Sequence, residues 1–153
     1  MPTPLGRIAK TRKVSSVVFR PLLVLGCLET VDYGFKISVN CEVARESDYQ
    51  AWFTNASTEH RLPGRVRFTI AHEIAHTFLF DPSTTPPTDL TDTEDPGELD
   101  EIERICDQIA AELLLPKAII RRIATEQSCD FMDPDSLRKL ARPSPKRGIH
   151  GCL

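Results

Sequence analysis

Residues 68–80 read FTIAHEIAHTFLF, with His72 and His76 four apart and Glu73 directly after the first. On a helix, residues four apart share one face, so both imidazoles can point at one ion. This HExxH spacing binds zinc through the histidines and leaves the glutamate as general base. Glu73 falls about 100° further round the helix, near enough to reach a water at the ion without ligating it. Zinc lowers the pKa of such a water toward about 7, and a carboxylate can then take its proton and pass it to a leaving amine. The bland alternative is a buried helix carrying two histidines for packing. The motif by itself does not separate the two.

Its surroundings help. Ile70, Ile74, Phe78, Ala71, Ala75, Phe68 and Leu79 fill the opposite arc, so the helix reads as largely buried with one polar stripe. Buried histidines without partners cost desolvation, which a metal would relieve. A hydrolytic zinc needs three protein ligands and one open position. Downstream candidates are Glu98, Asp100, Glu101, Glu103, Asp107 and Glu112. On a wheel set at Leu99, Glu103 lies about 40° round, inside the apolar face, and Asp107 about 80° round, at its edge. Glu103 is thus the carboxylate expected on the buried side and the third ligand. Asp107 is placed to accept from a ligand histidine's other ring nitrogen. The competing role for Glu103 is an ion pair with Arg104 or another basic group.

Several elements must position these groups. SSVVF (15–19) and LLVL (22–25) read as strands, with PLLVLGCL (21–28) a buried strand rather than a leader peptide. FKISVN (35–40) alternates apolar and polar residues, the period of a half-buried strand. A small antiparallel sheet before residue 55 follows, with a further strand over 49–55. Asp32-Tyr33-Gly34 and Pro63-Gly64 mark turns. The first helix is expected over 65–80, stopped before Pro82. Residues 81–100 read as an acidic, mobile surface loop. The second helix is expected over 98–115, its acidic first turn suiting the helix dipole. Helices beginning at Pro116 and over 133–142 complete the chain. The basic segment 1–13 shows no pattern.

The totals set bounds. The chain has 153 residues, a net charge of −3 and 41% hydrophobic residues, enough for one domain with a real core. Nothing in the charge points to nucleic acid or an anionic membrane, and no apolar run reaches membrane-spanning length. Five scattered cysteines without a CxxC pair argue against a disulfide framework and fit reduced thiols in the cytoplasm.

GRVRFTIAHEIAHTFLF followed by ERICDQIAAELLLP resembles the ImmA/IrrE family of zinc metallopeptidases. Arg65, Arg67, Phe68, Thr69, Ala71, His72, Glu73 and His76 match its first block. Glu103, Asp107, Ala110, Ala111, Leu113, Leu114 and Pro116 match its second. YGFKISVN resembles the strand preceding that helix. Ala75, Cys106 and Ile109 replace the family's usual Gly, Ala and Phe. The resemblance implies a zincin-like α+β fold, with a small antiparallel sheet packed on the HExxH helix and a second ligand-bearing helix. It implies Zn2+ held by His72, His76 and Glu103, with Glu73 as general base. Members are typically cytoplasmic and cleave or inactivate helix-turn-helix repressors of phages, mobile elements or stress regulons. The partner is then a protein substrate, a transcriptional repressor, with no direct nucleic acid binding and no membrane.

The expected organisation is one metallopeptidase-like domain over 1–132 and a short tail over 133–153. SLRKLAR begins like the family's next helix, but PSPKRGIHGCL replaces its continuation. A truncated or frameshifted tail is therefore a hypothesis, and the same stop in an intact reading frame at the locus would count against it. The alternative function is a metal-containing, non-proteolytic binding or sensing module of the same fold. Tyr33, Tyr49, His60 and His150 are candidates for stabilising an oxyanion, none favoured by position.

Overall fold

The computed structural model describes residues 4–41, 62–91 and 93–126. These fall into two compact units divided after Pro116. The expected strand over 49–55, the helix over 133–142 and the limit at 132 lie outside the described residues, as do Tyr49, His60 and His150. The fold class is α+β, as expected.

In the first unit, helix α1 (Leu5–Thr11) leads into strands β1 (Val14–Arg20), β2 (Gly26–Val31) and β3 (Gly34–Asn40). Strand β3 is buried along nearly all its length and takes the centre, giving the order β1-β3-β2. The turn at Asp32-Tyr33 folds β2 back antiparallel on one edge of β3. Strand β1 fills the other edge and runs parallel to β3, with Val17 opposite Ile37 and Phe19 opposite Val39. The sheet is therefore mixed, one pairing departing from the antiparallel arrangement expected. The reason is topological: β2 reverses the chain between them, so β1 and β3 point the same way.

LLVL (22–25) is not a strand. The strand starts at Gly26, and Leu23, Val24 and Leu25 are exposed. Pro21 has no N–H for a ladder, and the chain must here cross from one edge of the sheet to the other. Helix α1 carries no helical signal in the sequence. Its seven residues are too few for an independent helix, but Leu5 and Ala9 are fully buried in the core.

Helix α2 (Gly64–His76) follows Pro63 and packs on the sheet face bearing Phe35, Ile37 and Val39; Val66, Ile70, Ala71 and Ile74 join that core. It ends earlier than the expected 80. Thr77–Leu79 tighten into a 3₁₀ turn, and Phe80–Asp81 form β4, paired with β5 (Thr88–Asp89). Two contacts explain the stop. Thr77 Oγ1 donates to the Ile74 carbonyl at 2.6 Å, and Arg12 Nη2 donates to the Thr77 carbonyl at 2.5 Å. Phe80 then meets Phe35 edge-on, ring centroids 5.3 Å apart. The acidic segment has local order: Asp81 Oδ1 accepts from Ser83 N and Asp89 Oδ1 from Thr91 N, each at 2.8 Å.

Helix α3 (Pro96–Leu114) starts two residues before the expected 98. Asp95 caps it, its Oδ1 accepting from Gly97 N at 2.7 Å and Glu98 N at 3.3 Å. Pro96 occupies the first helical position, where its missing N–H costs nothing. Ala71 and Ala75 on α2 and Cys106 and Ala110 on α3 are all fully buried. Small residues let two helices approach closely. The second unit contributes helix α4 (Lys117–Glu126). No helix among the described residues is long and apolar enough to cross a membrane.

Candidate metal centre

Helices α2 and α3 bring His72, His76, Glu103 and Asp107 together across their shared face. His72 Nε2 stands 3.0 Å from His76 Nε2 and 3.0 Å from Glu103 Oε2. His76 Nε2 is 3.4 Å from Glu103 Oε1. Among the described residues these three form the group able to hold a metal ion. On the other side of its ring, His72 Nδ1 meets Asp107 Oδ1 at 2.9 Å.

A proton on His72 Nδ1 is donated to Asp107, which leaves a bare lone pair on Nε2. That lone pair faces a second imidazole nitrogen and a carboxylate oxygen. A proton on Nε2 would answer only one of the two contacts. A cation between the three atoms answers all of them. Donors about 2.0–2.2 Å from a tetrahedral zinc stand roughly 3.3–3.6 Å from each other, so the cluster needs to open by only a few tenths of an ångström. The donor set, two imidazoles and a carboxylate, fits such an ion. Burial also holds the His76 imidazole below its usual range despite the opposing pull of Glu103, which favours the neutral, ligating form.

Glu73 lies on the sheet side of this cluster and is only 7% exposed. Burial pushes its carboxyl up to about 7, with the His72 charge opposing and the Glu103 charge adding. The buried thiol of Cys106 is pushed up to about 12, by burial first and then by Glu103, Glu73 and Asp107. It stays protonated and packs rather than ligates.

One expectation about exposure is corrected. Glu103 is not on a buried face: its side chain is 58% exposed, as is that of Asp107. Leu99 and Ile105, counted on the same apolar stripe, are also exposed. The contact of α3 with α2 runs through small residues and is narrower than the stripe, so Glu103 reaches the histidines from the rim. Arg104 pairs with Glu101 instead of Glu103. Tyr33 is 83% exposed, at the turn beyond the far end of β2 from Gly26, and is not brought to the cluster.

Two residues at the site carried no chemical signal in the sequence. Gly26, at the head of β2, faces α2 so closely that a Cβ there would lie 2.6 Å from Glu73 Oε1 and 2.6 Å from Thr69 Cγ2. A glycine heading a strand is the mark of such a close approach. Arg12 grips the end of α2, its Nε donating to Thr77 Oγ1 at 3.2 Å and its Nη2 to the Thr77 carbonyl, with the guanidinium 4.3 Å from the Phe78 ring centroid. A cation at a helix C-terminus is favoured by the helix dipole, and this one fixes the turn after His76.

Compared with known proteins, residues 58–142, more than half of the chain, match the family profile described as the IrrE N-terminal-like domain, a peptidase family. The match spans both helices of the cluster. No curated protein and no solved structure gives a significant match.

Proposed function

The chain belongs to the IrrE N-terminal-like domain family of peptidases, and from that premise we propose that it is a zinc-dependent endopeptidase. His72 Nε2, His76 Nε2 and Glu103 would hold the ion, which when bound would supply Lewis-acid polarisation of a scissile carbonyl from an open fourth position. Glu73 takes the proton of the attacking water and returns it to the leaving amine, so that one peptide bond and one water become a carboxylate and an amine. Burial raises the Glu73 carboxyl in the metal-free protein, and an ion held beside it would draw it back toward the ionised form that a base needs. Asp107 fixes the His72 ring and its tautomer.

The observation that supports this reading is the triangle of ligand-type atoms beside a buried glutamate. A module that only bound a partner would have no use for Glu73 in so costly a position. The proposed substrate is a regulatory protein, such as a helix-turn-helix repressor, met in the cytoplasm; this rests on the family resemblance and not on the geometry. The test is cleavage of a neighbouring repressor and of generic peptides, with and without chelator. Glu73→Gln should keep its metal and lose cleavage, and undiminished cleavage by that variant would sink the mechanism.

A further inference from the structure

Residues 21–25, PLLVL, join β1 to β2. Leu23 is 107% exposed, Val24 58% and Leu25 44%. Three successive apolar side chains in water form a patch of the kind that marks a contact surface. The link is not loose. The buried Asn40 donates from Nδ2 to the Leu22 carbonyl at 2.7 Å and from its backbone N–H to the Leu25 carbonyl at 2.9 Å. These bonds fix the backbone on both sides of Leu23 and Val24. The apolar tip is therefore held outward from both ends.

The next residue, Gly26, is the one whose backbone abuts Glu73. The lip thus begins one residue from the carboxylate proposed as base. Two further features say what would cover it. Among the described residues no strand pairs with the outer edge of β2, an arrangement to which an extended chain can add. Phe68, one turn before His72 on α2, is 38% exposed, its ring centroid 6.4 Å from that of His72. It supplies a second apolar surface along the same helix.

Resting on the peptidase reading, we infer that Leu23, Val24 and Leu25 receive an apolar side chain of an extended peptide substrate beside the scissile bond, and so set specificity. A polar chain laid along β2 would leave these side chains in water. An apolar one would cover them.

The test uses the zinc-loaded full chain on peptides varied one position at a time among Leu, Ile, Phe, Ser and Asp. The wild type should prefer an apolar residue at one position by about tenfold or more in kcat/KM. Leu23→Ser with Val24→Ser should erase that preference through KM, leaving kcat and the thermal midpoint within error. A preference retained in the double variant overturns the inference. A second arm needs no turnover: the Glu73→Gln protein is titrated with the best apolar peptide, and the two serine substitutions should weaken binding about tenfold. Equal binding overturns the lip. Absence of any cleavage by the wild type, with this binding difference intact, would instead remove the peptidase reading and leave the lip as a peptide-binding surface. A dimer dissociated by the serine substitutions, with peptide binding unchanged, would assign the lip to a second copy of the chain and also overturn the inference.

Discussion

Replacing Gly26 by alanine isolates how closely the sheet constrains the proposed base. The new methyl carbon would lie 2.6 Å from Glu73 Oε1, 3.1 Å from Glu73 Cδ and 2.6 Å from Thr69 Cγ2. Comfortable heavy-atom separations begin near 3.5 Å, so something must give by about 0.9 Å. Thr69 resists, because its side chain is β-branched and its Oγ1 is tied to the Arg65 carbonyl at 3.0 Å. The Glu73 carboxylate, at the end of a longer side chain, moves instead. Overpacking of this kind costs about 1–3 kcal/mol of stability. A displacement of about 1 Å in a catalytic group costs on the order of 100-fold in rate. The assay is kcat/KM on a cleaved peptide, with zinc content and thermal midpoint measured on the same preparation. Gly26→Ala should bind zinc normally, melt slightly lower and lose about 100-fold in kcat/KM. Gly64→Ala is the control, since a Cβ there meets nothing within 4 Å. A folded, zinc-loaded Gly26→Ala protein with activity within about twofold of the wild type would refute the reasoning.

Other changes probe other parts of the site. Asp107→Asn keeps the shape but removes the charge that orients His72, so zinc affinity should fall about 10–100-fold; an unchanged affinity in competition with a chelator would show that the 2.9 Å contact is incidental. In chelator-treated protein, a Glu73 carboxyl raised from near 4.5 to about 7 makes stability highest below pH 4.5 as far as this group is concerned. That contribution is lost as pH rises through 7. The full penalty is about 3 kcal/mol at about 1.4 per pH unit. Glu73→Gln should flatten this dependence in urea titrations across that window, and a parallel pH profile in both proteins would contradict it. Arg12→Ala removes two hydrogen bonds to Thr77 and the contact with Phe78 and should cost about 1–3 kcal/mol in denaturant unfolding; a loss within error would mean the helix end is held without it.

The two halves of the candidate site were legible in the sequence for different reasons. His72, Glu73 and His76 lie within one helical turn, so their spacing alone sets their relative direction. Glu103 and Asp107 could be paired with them because helical phase put both on one side of a second apolar pattern. The same phase misjudged how deep that side would lie, since the width of a helix contact depends on the partner. Gly26 and Arg12 were invisible because their meaning is a distance to residues far along the chain. PLLVL looked like a strand because composition does not register that the chain must cross the end of a sheet there. The sense of the β1–β3 pairing was hidden likewise: alternation sets which residues face the core, not the direction of a neighbouring strand.

Whether His72, His76 and Glu103 together hold a metal ion is answered by elemental analysis of the protein purified without chelators. About one zinc per chain is expected, retained in Glu73→Gln and lost in a His72→Ala, His76→Ala or Glu103→Ala protein that remains folded, as for a site with three protein ligands. Less than about half an equivalent in the wild type, or an unchanged equivalent in all three ligand variants, would contradict it.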